Sequence, residues 1–202
     1  MSPRKIFLLS PAHCGGKRAA ILLSDRATFP LAQRLRSPPG VTLGEAFSFL
    51  SGLYFRGKLA YAERFARPPE GERGIQVITT DRGLLPSDTA IGRRELQEFG
   101  TVDIRLDHPG YREPLARDLA RLSQAADAHI VLLGSVATGK YVDVLLEFVG
   151  ERLLFPPEFV GRGDMSRGAL LLRAVRESRE LPYEPVAGAV RRGRRAARVG
   201  GS

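Results

Sequence analysis

The chain contains no tryptophan, one cysteine (Cys14) and three scattered histidines, His13, His108 and His129. A single thiol excludes an internal disulfide framework and suits a reducing compartment, here expected to be the cytoplasm. The histidines and the cysteine have no zinc-ligand spacing, so no metal or other cofactor is expected. No apolar run approaches the ~18 residues that a membrane span requires, so no membrane partner is expected. "IFLLSPA" near the start is too short for the apolar core of a secretory signal and reads as a first buried strand. Acidic residues are outnumbered, 22 against 31 basic ones, and the formal net charge is +9.

That charge is unevenly placed. The segment "RRGRRAARVGGS" carries Arg191, Arg192, Arg194, Arg195 and Arg198, five of the nine net charges. We read 1–189 as one α/β domain and 190–202 as a basic, disordered tail. Such a tail is solvated by default, and its functional reading is a salt-sensitive grip on nucleic-acid phosphates. Nucleic acid, DNA or RNA, or a nucleotide-like anion is therefore the expected partner.

With 202 residues, 43% hydrophobic and 26% charged, the remainder has the composition of an ordinary globular protein. Its pattern alternates. Strands are expected at 5–12 ("KIFLLSPA"), 74–81 ("GIQVITTD"), 129–135 ("HIVLLGS") and 152–157 ("RLLFPP"), with an edge strand at 101–107 ("TVDIRLD"). Helices are expected over 43–66 behind a Thr42 cap, over 93–100, over 111–126 with Pro114 in the first turn, over 141–150, and over 165–178 behind an Asp164 cap. Near-continuous apolar strands alternating with helices predict a three-layer α/β domain. Its mostly parallel sheet has four to six strands, with helices on both faces.

In such sheets ligands bind beyond the carboxyl ends of the strands. Four polar, glycine-rich loops are expected there: "SPAHCGGK", "TDRGLLPSD", "GSVATGK" and "EFVGRGDMSR". They supply Lys17, Asp81 and Asp88 as candidate acid–base groups. Gly134, Ser135, Thr138, Gly139 and Lys140 match G-x-x-x-x-G-K, the phosphate-cradling loop, up to Tyr141, which replaces the magnesium-binding Ser or Thr. An anion site without magnesium is thus expected in preference to a nucleoside triphosphatase. Arg162 and Arg167 offer forked donors for a second anionic group, with Asp164 at the helix start. The RGD triplet at 162–164 suggests no adhesion role in a chain without a disulfide framework. Cys14 beside Lys17 is a candidate nucleophile only if its thiol is exposed and acidic.

Three pieces in order resemble the peroxide-stress (YaaA-type) proteins and related domains of unknown function. They are "LLSPAHCGGK", the helix "SGLYFRGKLAYAERFA" and the turn "VITTDRGLLPSD", together covering the N-terminal half. Arg82 stands where the family usually has a tyrosine before the GLL turn. The resemblance implies an α/β nucleic-acid-associated protein that binds DNA or protects against oxidative damage, and by extension a base-removing or base-modifying activity. The alternative from the loop motif is a small-molecule phosphotransferase.

Overall fold

The computed structural model describes residues 3–190 apart from Asp103, Leu106, Ala126 and Thr138. The first strand, β1 (Arg4–Leu9), carries an apolar run, Ile6 to Leu9, buried on both faces. It lies at the centre of a six-stranded sheet. β1 pairs in parallel with β3 (Ile75–Ile78) on one side and with β6 (Ala128–Leu133) on the other. β6 continues in parallel to β7 (Leu153–Phe155). Two antiparallel edges close the sheet: β4 (Leu84–Pro86) beside β3, and β8 (Glu184–Pro185) beside β7. The order is β4-β3-β1-β6-β7-β8. This is the expected mostly parallel α/β sheet.

Alternate residues of the central strands feed two cores. Phe7, Leu9, Val77, Val131 and Leu133 face one core. It also holds side chains from α1 (Lys17–Leu23), α2 (Pro30–Leu35), α3 (Leu43–Ser51), α4 (Leu53–Phe65) and α8 (Asp164–Arg176). Ile6, Leu8, Ile78, Ile130 and Leu132 face the other, which α6 (Pro109–Ser123) and α7 (Gly139–Val149) cover. The period-2 alternation of a strand thus serves both helical layers.

Several expected elements differ. The helix expected over 43–66 is two helices. Thr42 starts α3 with a reciprocal capping box to Glu45, and the chain turns at Gly52, whose φ of 61° favours glycine. A β-carbon at Gly52 would also lie 2.5 Å from the Arg18 guanidinium. The described residues of 101–107 form turns and irregular chain instead of an edge strand. That edge is occupied by β4, formed by the "GLLP" segment that was expected to be a loop. Val41–Thr42 (β2) and Ala90–Ile91 (β5) make a separate small antiparallel pair. Asp164 is the first residue of α8 and not its cap; Gly163 holds the cap position without a side-chain bond. α5 (Arg93–Phe99) forms as expected. Among the described residues no helix is long and apolar enough to cross a membrane. Residues 191–202, with the five tail arginines, lie outside the described residues.

Candidate functional site

Chain order and sheet order together locate the site. From β1 the chain crosses to β3 at one side, and from β3 it returns past β1 to β6. The loops leaving β1 and β6 therefore diverge, and a crevice opens between their carboxyl ends. "SPAHCGGK" and "GSVATGK" meet there. The Ser10 amide donates to the Leu133 carbonyl at 3.2 Å. At Gly134 a β-carbon would lie 2.9 Å from Ser10 Cβ and 3.0 Å from the Tyr141 hydroxyl. Glycine is required at 134 because these two side chains close over it.

A cavity of about 300 Å³ fills the crevice, lined by Ser10, His13, Tyr54, Ser135, Tyr141 and Asp164 among others. Behind Ser10 stands Lys58 of α4, 1% exposed. Its Nζ donates to the Ser10 carbonyl at 2.6 Å and reaches Ser10 Oγ at 2.9 Å. The rings of Tyr54 and Phe55 lie 4.6 and 4.8 Å from that nitrogen. Burial pushes the Lys58 amine down to about 7, with Asp164 pulling it up and Arg167 pushing it further down.

α4 reaches the sheet this closely because α8 crosses it at two glycines. A β-carbon on Gly57 would meet the Gly168 carbonyl at 2.8 Å, and one on Gly168 would meet the Leu53 carbonyl at 2.8 Å. The crossing brings Arg167 and Asp164 alongside Tyr54 and Lys58. Arg167 is buried, donates from Nε to the Phe159 carbonyl at 3.0 Å, and stands 3.6 Å from Asp164. The Tyr54 hydroxyl is buried with no hydrogen-bond partner; burial raises its pKa and the nearby Arg167 charge opposes that rise.

The phosphate-loop residues behave differently from a phosphate cradle. The Ser135 amide donates to the Tyr141 hydroxyl at 3.0 Å, and the Ala137 amide to Ser135 Oγ at 3.4 Å. These two amides are satisfied inside the loop instead of facing a phosphate. Tyr141 packs in the core instead of facing a metal. Gly139 begins α7, and Lys140 is exposed beside a second cavity of about 230 Å³ shared with His13, Cys14 and Thr80. Thr138 lies outside the described residues.

The remaining expected site residues disperse. Lys17 is exposed on the first turn of α1 and does not line the crevice. Asp88 is a correction. β4 runs antiparallel to β3, with Gln76 opposite Pro86, so the chain is carried to the opposite edge of the sheet before Asp88 is reached. There it pairs with Arg73 at 3.2 Å. Asp81 stays at the carboxyl edge, half-buried, 3.9 Å from Arg82, with Oδ1 buried and unbonded. Burial raises its pKa. Arg162 is exposed and donates to Ser166 Oγ at 3.0 Å. Among the described residues no group of three or more His, Cys, Asp or Glu side chains could hold a metal ion.

Cys14 is buried, and burial together with the Asp81 charge pushes its thiol up to about 12. A thiol held so far from ionisation is a poor nucleophile. Iodoacetamide at pH 8 is therefore expected to leave Cys14 unmodified in the folded protein and to alkylate it in urea; rapid alkylation of the native protein would overturn this assignment.

Sequence reasoning placed Tyr54 on a helix and Ser10 in a strand-end loop but named neither them nor Lys58 as site residues. A signal was present for Lys58. Tyr54, Lys58, Ala62 and Phe65 recur at helical spacing, so a lysine stands on the apolar stripe of α4. In comparisons with known proteins, no family model, no curated protein and no solved structure matches the chain.

Proposed function

We propose that this protein is nucleic-acid-associated, holding a strand in an open groove and one nucleoside unit in the crevice between β1 and β6. The observation that carries this reading is continuity. An open groove of about 820 Å³ is lined by Arg18, Ile21, Phe49, Gly52, Arg56 and Met165, and it shares Leu50 and Ser51 with the crevice. Ile21 and Met165 are exposed, 53% and 68%, and line the same groove as the two arginines. Cationic side chains flanking apolar surface are what a single strand requires, phosphates on the charges and bases on the apolar faces. The crevice volume lies at the small end for ligand sites and suits one unstacked base rather than a duplex. Base removal or modification, or protection of nucleic acid under stress in a reducing cytoplasm, follows as the functional class. The arginine-rich sequence of 190–202 adds a sequence-independent attraction. A phosphotransferase is less well supported, since Tyr141 engages the Ser135 amide.

The reading is tested with a fluorescent single-stranded oligonucleotide and the full chain. Replacing Arg18 and Arg56 together with Glu is expected to weaken binding at least about tenfold and to reduce the salt slope by roughly 2, one per phosphate contact. Deleting residues 190–202 is expected to weaken binding further without affecting folding. Affinity and salt slope unchanged in both variants would sink the proposal.

A further inference from the structure

The crevice holds a group that strand binding does not use. Lys58 is a fully buried lysine, and both of its hydrogen bonds go to one residue, Ser10. Among the described residues no carboxylate forms an ion pair with it. Tying α4 to the end of β1 with an unpaired buried amine is costly; an apolar side chain of the same length would pack there at lower cost. Ser10, by contrast, faces the cavity. On the same wall stands the Tyr141 hydroxyl, which accepts from the Ser135 amide; a β-carbon at Gly134 would lie 3.1 Å from Ser10 Oγ and 3.0 Å from this hydroxyl. Gly134 leaves no side chain between the Ser10 and Tyr141 groups. An amine is thus hydrogen-bonded to one serine oxygen at a cavity wall, and a phenol held by the next loop peptide stands across Gly134 from it.

We propose that Ser10 is a nucleophile and Lys58 its general base, with Tyr141 as the orienting hydroxyl, and that the centre transfers or hydrolyses an acyl group carried as an ester or amide. Nucleophile–base pairs of serine and lysine recur on unrelated folds, recognised by geometry and not by sequence position. As Ser10 Oγ attacks the acyl carbon, its proton passes to the Lys58 nitrogen. The leaving oxygen or nitrogen takes that proton as its bond to the acyl carbon breaks, leaving an ester on Ser10. Water then attacks that ester, gives its proton to Lys58, and Ser10 Oγ recovers a proton as the acid departs. The Lys58 amine, brought down to about 7 by burial, is available as a base near neutrality. The charged groups acting on it come from α8: Asp164, which favours its protonated form, and Arg167, which opposes it. Tyr54 and Tyr141 face the same space and stay neutral, since burial raises both. The substrate class, an acyl group on a nucleoside-like carrier, rests on the reading above; the reactive serine does not.

The test uses a fluorophosphonate, which esterifies an activated serine with loss of fluoride, and reads the adduct by mass spectrometry of the intact chain and its peptides. A single adduct on Ser10 is expected, absent from Ser10→Ala. Its rate should rise with pH through about 7 and then level, because the amine must be free. Lys58→Met should slow it by at least about 100-fold, the usual loss when a general base is removed. Circular dichroism confirms folding of each variant; should Lys58→Met not fold, the wild-type pH profile decides by itself. No adduct on Ser10 in the folded wild type at pH 9, a pH-independent rate, or an undiminished rate in folded Lys58→Met overturns the proposal. A wild type that labels on Ser10 but binds no oligonucleotide would instead refute the strand reading alone.

Discussion

Gly168→Val is expected to destabilise the protein by at least about 3 kcal/mol and to lower its Tm by roughly 10 °C. The α4–α8 crossing is the cause. At Gly168 the first side-chain carbon already falls 2.8 Å from the Leu53 carbonyl oxygen and 2.9 Å from Tyr54 Cα. Both obstacles are backbone, so no rotamer change relieves them. Glycine in mid-helix costs about 1 kcal/mol relative to alanine, so Gly168→Ala gains that much in propensity. The clash outweighs it, and Gly168→Ala is expected to be destabilising too, by less than the valine. Gly163→Ala is the control: it precedes the same helix, and no atom lies within 4 Å of the added carbon. It should cost about 1 kcal/mol or less, from the poorer N-cap alone. Thermal unfolding of the three variants checks the order. A Gly168→Val protein as stable as the wild type would mean that the helices do not cross as closely as described. The same substitution also separates Asp164 and Arg167 from Lys58, so labelling of Ser10 should fall with it.

Lys58→Met is expected to abolish a rise in stability between pH 7 and pH 9. In the unfolded chain Lys58 titrates at 10.5, and in the folded protein at about 7. Between these values the unfolded state binds the extra proton, so unfolding becomes harder as pH rises. One proton of difference is worth about 1.4 kcal/mol per pH unit, or roughly 2 kcal/mol over the window. Above pH 9 the contribution is opposed. Cys14, with an ordinary value of 9.0, and the buried tyrosines Tyr54, Tyr111 and Tyr183 all have raised values, and their stabilising neutral forms must then be kept against ionisation in the unfolded chain. Cys14 begins to oppose the lysine as pH nears 9, but it does so equally in wild type and variant, so the difference between their slopes over pH 7–9 isolates the lysine. At pH 7 two effects compete in the variant. Removing the buried amine is favourable, whereas the Ser10 carbonyl and hydroxyl lose their donor at about 1–3 kcal/mol. The slope, not the level, is diagnostic. Urea unfolding of wild type and variant at pH 7, 8 and 9 measures it, and parallel curves would show that Lys58 keeps its proton in the fold.

Much of the architecture was legible because it depends on local pattern. The apolar runs "KIFLL" and "HIVLL" are long enough to be buried on both faces, and they became neighbouring parallel strands, Ile6 opposite Ile130 and Leu9 opposite Leu133. Thr42 ahead of a helical apolar pattern sufficed to mark a helix start, and the structure adds its capping box with Glu45. The meeting of the "SPAHCGGK" and "GSVATGK" loops followed from strand alternation alone. Other features depended on contacts between segments far apart in the chain. Whether "GLLP" was a loop or a returning strand was decided by a free edge on β3, and that choice carried Asp88 to the wrong end of the sheet for chemistry. By helix propensity alone, a glycine at 57 or at 168 only weakens its helix. Only their juxtaposition, 111 positions apart in sequence, makes them the contact that lets α4 lie against the strand end. The lysine beside Gly57 is an ordinary helix residue in the sequence. Its amine became buried, and its pKa fell to about 7, because packing removed it from water and left Ser10 as its hydrogen-bonding neighbour. Periodicity sets which face of an element is apolar, but the cost of burying a charge is set by what the opposing segments supply, and that was determined by the tertiary structure.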